Sequence, residues 1–171
     1  MLDAVAQLNY QPSHAARSMR GRSHTLGLVL PAQPGRLADP ALADCVARAI
    51  HAISPQLILL APAYSRLATA GESIGLPVIL EIFADRAYQD DGQLMPRSQP
   101  GAMIHGTDAA LAHVLRMLDE QAIVSVNGKR LPTRVQSICV HGDNPEAVAT
   151  ASDLRRGIEA AGYSIASLDR L

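Results

Sequence analysis

From residue 39 onward, short apolar runs alternate with stretches whose apolar residues recur at helical spacing. No other feature constrains the fold as strongly, because alternating strands and helices favour a mostly parallel sheet flanked by helices. Asp39 and Pro40 read as an N-cap and first-turn pair. Leu42, Cys45, Val46, Ala49, Ile50 and Ile53 then recur at i, i+3, i+4 and i+7, the pattern of a helix with one apolar face. Leu57 to Leu60 reads as a short strand, residues 64 to 73 as a helix ending near Gly75, and Val78 to Ile82 as a second strand. Asp90-Asp91-Gly92 reads as a turn and Ala102 to Ile104 as a brief strand. Thr107 is positioned to cap a helix with Leu111, Val114, Leu115 and Leu118 inside. Ile123 to Val126, Asn127-Gly128 and Lys129 carry a hairpin signal of the type I′ kind. Val135 to Val140 reads as a strand. Asn144 and Pro145 open a last helix with Val148, Ala151, Leu154, Ile158 and Ala161 on one face, closed by Gly162.

The chain has 171 residues, enough for a domain with a real core. Apolar residues make up 48% and aromatic ones only 3%, with a single Phe at 83, so the core must be aliphatic. The net charge of −1 gives no general attraction to nucleic acid. Only the start is basic, with Arg17, Arg20 and Arg22 against Asp3. Cys45 and Cys139 lack metal-ligand or CxxC spacing, and the expectation is two buried thiols in a reducing compartment. No apolar run reaches the ~20 residues that span a membrane. The opening also lacks the regions of a signal peptide, so a cytoplasmic location is expected. Residues 32 to 37, with Pro34-Gly35, form the turn-rich junction of the chain.

Three polar patches follow apolar runs: Glu81 to Tyr88, Pro96 to Ala102, and Ile138 to Asp143. In a parallel sheet the C-terminal strand ends share one rim, where α/β enzymes build their sites. Asp85 and Arg86 follow one strand there, and His141 and Asp143 follow another. A His beside carboxylates can move protons near neutral pH. Arg86 and Arg97 suit a substrate carboxylate, and Ser98 adds a hydroxyl donor. The same residues also suit a structural ion pair, or a turn with a helix cap at Asp143 and Asn144. A metal set can be drawn from Glu81, Asp85, His105 and His141, but their spacing does not demand one, and no metal is expected. There is no P-loop and no GxGxxG pattern.

Several segments of residues 38 to 171 resemble the LamB/YcsF family, the A component of bacterial 5-oxoprolinase. They are Asp39-Pro40-Ala41-Leu42-Ala43, Gly75-Leu76-Pro77 leading to Phe83-Ala84-Asp85-Arg86-Ala87-Tyr88, Leu94 to Ala102, and Ser137 to Asp143. The resemblance covers the C-terminal half of such a protein. It implies a partial β/α barrel like that of sugar deacetylases, with mostly parallel strands, flanking helices and one hairpin insertion. It also implies ATP-dependent opening of 5-oxoproline to glutamate together with B and C subunits. By position, Asp85, His141 and Asp143 match as catalytic groups, and Arg86, Arg97 and Ser98 as substrate-binding ones. The family's Asp-Leu-Asn-rich, Gly-Phe-His and Lys-Pro-His-Gly segments are not in this sequence, so the chain alone is expected to be inactive. Tyr64 stands where that family carries a Gly.

Residues 1 to 32 resemble the hinge and first strand of lactose-repressor-type regulators, through Leu8-Asn9-Tyr10-Gln11-Pro12-Ser13, Ala15 to Met19 and His24 to Pro31. That resemblance implies DNA contacts from Ser13 and Arg17, with Met19 as a minor-groove wedge. The alternative expectations are thus a truncated DNA-binding regulator or a non-functional fusion product. A half barrel also leaves a sheet edge open to self-association, or to pairing of Leu26 to Val29 beside Leu57 to Leu60.

Overall fold

A computed structural model describes residues 39–141 and 147–166. The first helix, α1 (Pro40–Ile53), starts as its sequence directs: the Asp39 carboxylate accepts the Ala41 N–H at 2.9 Å and Pro40 fills the first turn. Its buried stripe is Ala43, Val46 and Ala47, with Leu42 and Ile50 alongside. That is one step around the helix from the expected face, and it leaves Cys45 and Ala49 exposed and Ile53 61% exposed. The reason is size. Ala43 and Ala47 let α1 lie close on α2 (Arg66–Ser73), whose Leu67, Ala68 and Ala70 fill the same core.

Strand β1 (Leu59–Pro62) begins two residues later than expected, because Leu57 N–H closes a turn on the Ser54 carbonyl at 3.2 Å. Tyr64, with φ of 62°, then bends the chain into α2, which Ser65 caps by accepting the Ala68 N–H. Strand β2 (Val78–Phe83) is central in a three-stranded parallel sheet, flanked by β1 and by β5 (Ser137–Cys139). Leu59 pairs with Val78 and Pro62 with Glu81 on one side; Glu81 pairs with Ser137 and Phe83 with Cys139 on the other. Pro62 is tolerated because, among the described residues, β1 is an edge. Strand β5 is shorter than the expected Val135–Val140. Just before it, the Gln136 side chain replaces a backbone partner: Leu80 N–H donates to its Oε1 at 3.2 Å.

Strand alternation gives the sheet two faces. Leu59, Ala61, Val78, Leu80, Ile82 and Ile138 point to the helices. Leu60, Pro62, Ile79, Glu81, Phe83, Ser137 and Cys139 share the other face. Helix α3 (Thr107–Glu120) and helix α4 (Ala147–Ala160) pack on each other through Ala110, Val114, Leu118, Leu154 and Ile158. Gly106 (φ 86°), not Thr107, occupies the α3 cap position, and no side chain caps the helix. On α4, Leu154 and Ile158 are buried as expected, whereas Ala151 and Ala161 are exposed. The expected start at Asn144-Pro145 lies outside the described residues. Gly162 (φ 93°) closes α4: Tyr163 N–H donates to Ile158 O and Gly162 N–H to Glu159 O, the paired bonds of a Schellman motif.

Between α3 and β5 runs the hairpin β3 (Ala122–Val124) and β4 (Arg130–Pro132). Its turn is not type I′, which would need positive φ at Asn127 as well as Gly128. Only Gly128 has it. Gly128 N–H donates to Ser125 O and Ser125 N–H to Lys129 O, giving a longer loop with Gly128 in the left-handed position. Asp90 selects this form. It accepts from Ser125 Oγ at 2.5 Å and Asn127 Nδ2 at 3.1 Å, while its carbonyl accepts from Lys129 Nζ. The architecture is thus a mixed α/β fold with an open parallel sheet and flanking helices.

Candidate active site

Phe83 and Cys139 are register partners at the ends of β2 and β5, and Ala84 N–H extends the pairing to the Cys139 carbonyl at 3.1 Å. The next residues divide by burial. Ala84 is 1% exposed, and Ala84 and Val140 pack in the α3–α4 core. Asp85 and His141 therefore emerge side by side on the rim. His141 Nδ1 lies 2.7 Å from Asp85 Oδ2 and 2.9 Å from Oδ1, each side chain about a quarter exposed. The Phe83 ring stacks on the imidazole at 5.9 Å between centroids. A carboxylate on Nδ1 fixes the tautomer with the proton on that nitrogen, leaving the Nε2 lone pair for chemistry. Arg97 reaches that side, with Nη2 3.4 Å from Nε2. The sequence places these three residues in separate patches, and the fold brings them together.

Arg86 behaves differently from expectation. It is 7% exposed, and its Nη2 donates to the Met95 carbonyl at 2.6 Å. It pairs in a backbone bridge with Met103, and Ala87 N–H donates to Ala102 O. Arg86 is thus a brace behind the 94–103 loop rather than an exposed carboxylate clamp; a residue following a strand on the buried parity turns inward. Ser98, on that same loop, is exposed. Asp143 lies outside the described residues, as do Ser13, Arg17, Met19 and the expected strand at Leu26 to Val29. Among the described residues no three His, Cys, Asp or Glu side chains gather for a metal ion, so Glu81, Asp85, His105 and His141 form no such set. No described helix is long and apolar enough to cross a membrane.

Glu81 opens the first polar patch, but the family segments at the rim pass over it. It sits mid-strand on the site face of β2, where Ser137 Oγ donates to its Oε1 at 3.4 Å. Burial raises its carboxyl above the ordinary Glu value, against the opposing effects of Ser137 and His141. Burial, with Glu81 and Asp85 nearby, likewise raises the Cys139 thiol. The signal in the sequence is an acid inside an otherwise apolar run, Val-Ile-Leu-Glu-Ile-Phe. Neither cysteine is fully buried: Cys45 is exposed and Cys139 partly so.

A separate open cavity of about 570 Å³ lies between α2 and the hairpin, lined by Tyr64, Glu72, Leu80, Pro132 and Arg134 among others. Its polar groups satisfy one another: Tyr64 O–H donates to the Pro132 carbonyl at 2.7 Å, and Arg134 pairs with Glu72 at 3.2 Å. It contains none of the rim residues.

Comparison with known proteins then assigns the family. The LamB/YcsF family model matches residues 35–171. The chain belongs to the LamB/YcsF family. The 5-oxoprolinase A component from Gluconobacter oxydans is 47% identical over 130 residues, covering 76% of this chain and 51% of that protein. Its counterpart from Azoarcus is 50% identical over 133 residues, covering 78% and 52%. The crystal structure of a lactam utilization protein from Thermus thermophilus superposes with a TM-score of 0.68 at 32% identity, covering 77% of this chain and 52% of that one. The chain thus spans about half the length of the curated relatives it matches. The match does not extend to residues 1–32, nothing in these comparisons supports the repressor-type hinge expected there, and those residues lie outside the described ones.

Proposed function

We propose that residues 39–166 of this LamB/YcsF member form one wall of a site that opens the cyclic amide of 5-oxoproline to glutamate. The observation that carries the reading is the His141–Asp85 pair, 2.7 Å apart on the rim of a parallel sheet, in a chain 47–50% identical to 5-oxoprolinase A components. In this reading His141 takes a proton at Nε2 from the attacking water and returns it to the ring nitrogen as the C–N bond breaks, while Asp85 holds the ring and stabilises the imidazolium that forms. Arg97, beside Nε2, holds the substrate carboxylate. Ser98 adds a hydroxyl donor, and Arg86 keeps their loop in place. Asp143, two residues beyond His141 in sequence, keeps the catalytic role that the family resemblance implies. ATP is the co-substrate and subunits of the B and C kind are the partners. The described residues carry no glycine-rich phosphate loop, so the nucleotide is assigned to no side chain of this chain.

We assign turnover to the completed site rather than to this chain alone, in keeping with a barrel of which this is one part. The test is ATP-dependent glutamate formation by the chain with B and C subunits, beside a full-length relative. Loss of activity on His141→Ala in the full-length context supports the reading, and an unchanged rate there refutes it. We place self-association at the outer edge of β1, where Ile58 and Leu60 are 46% and 45% exposed. A sedimentation profile unchanged by Leu60→Lys would refute that assignment.

A further inference from the structure

The site face of the sheet carries a second polar group that the His141 mechanism does not use. Glu81 lies on the central strand, between Pro62 of β1 and Ser137 of β5 in register. It shares the face with Phe83, over which His141 stacks. The charged and titratable groups around it are His141 and Cys139 from the β5 side, Asp85 beyond its own strand, and Tyr88 from the following loop. Pro62 and Leu60 of β1 bring no charge to this face. No cation pairs with Glu81 among the described residues. Half-burial without an ion-pair partner pushes this carboxyl toward its acid form, against the opposing effects of Ser137 and His141.

A protonated carboxyl has one O–H donor and one C=O acceptor side by side. A five-membered lactam is held cis by its ring, so its N–H and C=O also lie side by side. The two groups match in a closed pair of hydrogen bonds: the acid O–H donates to the lactam oxygen, and the lactam N–H donates to the acid carbonyl. Neither a carboxylate nor a ring-opened amino acid makes the same pair. The former lacks the donor, and the latter has no cis amide.

We propose that Glu81 is the specificity group that docks the cis-amide edge of a lactam, with the substrate carboxylate toward Arg97 and the reacting carbonyl carbon toward His141. Ser137 acts as its positioning residue, since its hydroxyl donates to Oε1 and leaves the second oxygen to carry the proton. The proposal deepens the lactam reading above and rests on it.

The test is binding of 5-oxoproline and of 2-pyrrolidinone to the whole chain, followed by NMR between pH 4 and 8. Wild type should bind both, losing about tenfold in affinity for each pH unit above the Glu81 titration. Glu81→Gln offers the same donor and acceptor at every pH, so its affinity should be flat across the range. Glu81→Ala should bind about tenfold or more weakly at low pH, the worth of two neutral hydrogen bonds. None of the three proteins should bind glutamate with the wild-type lactam profile. Equal lactam affinity in Glu81→Ala and wild type, with loss in Arg97→Ala, would overturn the role of Glu81 while leaving the lactam reading intact. No lactam binding by wild type at any pH would overturn both. Glu81→Gln is nearly isosteric with wild type, which separates a docking role from a folding role: a purely structural Glu81 predicts the same pH profile for wild type and Glu81→Gln.

Discussion

Replacing Gly157 by Ala tests whether the rim depends on close packing behind it. In an open helix this change stabilises by about 0.5–1 kcal/mol, because Ala loses less backbone entropy. Here a Cβ at 157 would meet Leu111 Cδ1 at 2.7 Å and Cγ at 3.1 Å, with the other methyl closer still. Turning χ2 moves the two methyls but not Cγ, so Leu111 must change χ1 or the α3–α4 pair must part, an overpacking cost of about 1–3 kcal/mol. The net expectation is a loss of about 1–2 kcal/mol, or a Tm lower by roughly 3–6 °C for a chain of this size. The same core holds Ala84 and Val140, the residues immediately before Asp85 and His141. The damage should therefore reach the site, as a shifted His141 ring resonance in long-range ¹H–¹⁵N spectra. Urea unfolding followed by circular dichroism gives the free energy. Leu111→Ala should remove most of the added cost of Gly157→Ala in a double-mutant cycle. A Gly157→Ala variant more stable than wild type would refute the close approach of α3 and α4.

Under the proposed ring opening, Asp85→Asn should leave the fold intact and lower kcat of the chain assembled with B and C subunits about 10²-fold or more with little change in KM, since the ring loses its charged anchor. A rate within twofold of wild type would remove Asp85 from the mechanism. Hydrogen bonds from Ser125 and Asn127 lower the Asp90 carboxyl below its ordinary value of 3.8. Its folded-state value is thus below its unfolded one, and its contribution is present above pH 3.8 and lost as pH falls through the folded value. Wild type should therefore lose hairpin protection in that acid window, measured by amide exchange at Val124 and Lys129, and Asp90→Asn should show a weaker pH dependence. Glu81 has the opposite sign. Its raised folded value means stability is full below 4.5 and falls as pH rises through the folded value. Glu81→Gln should abolish that slope in thermal melts. Alkylation at pH 8 should modify exposed Cys45 before Cys139, whose thiol is held up by burial and two carboxylates. Equal rates in peptide mass maps would contradict that environment.

How legible the molecule was depended on whether the information was local. The α1 start is written in Asp39 and Pro40, and the α4 stop in Gly162, because caps are satisfied within a few residues. The rim was legible for a similar reason: polar residues directly after an apolar run can only follow the strand. What the sequence could not reveal was set by partners far away in it. Asn127-Gly128 has the composition of a two-residue turn, but Asp90, 37 residues earlier, selects the longer loop. Cys45 belongs to the apolar period of α1, yet the small Ala43–Ala47 stripe wins because it lets α2 come closer. Arg86 reads as a surface cation until the Met103 bridge turns it inward.

The described half of the fold keeps an ordered rim because its packing is divided. One core joins α1, β1 and α2; a second lies under Ile82, Tyr88 and the hairpin; a third lies under Ala84 and the α3–α4 pair. Asp85 and His141 are anchored by the second and third. Phe83 N–H donates to the buried Tyr88 hydroxyl at 2.8 Å, and Ala84 is locked into the third core. None of those anchors involves the outer edge of β1. The distance between the Asp85 carboxylate and the His141 ring is therefore set within the described residues. It follows that the Asp85–His141 pair is held by packing that the described residues supply, although the chain spans about half the length of the curated relatives it matches. Under the proposed function, lactam binding draws on that pair, Arg97 and Glu81, so binding is a more informative measurement on this chain than turnover.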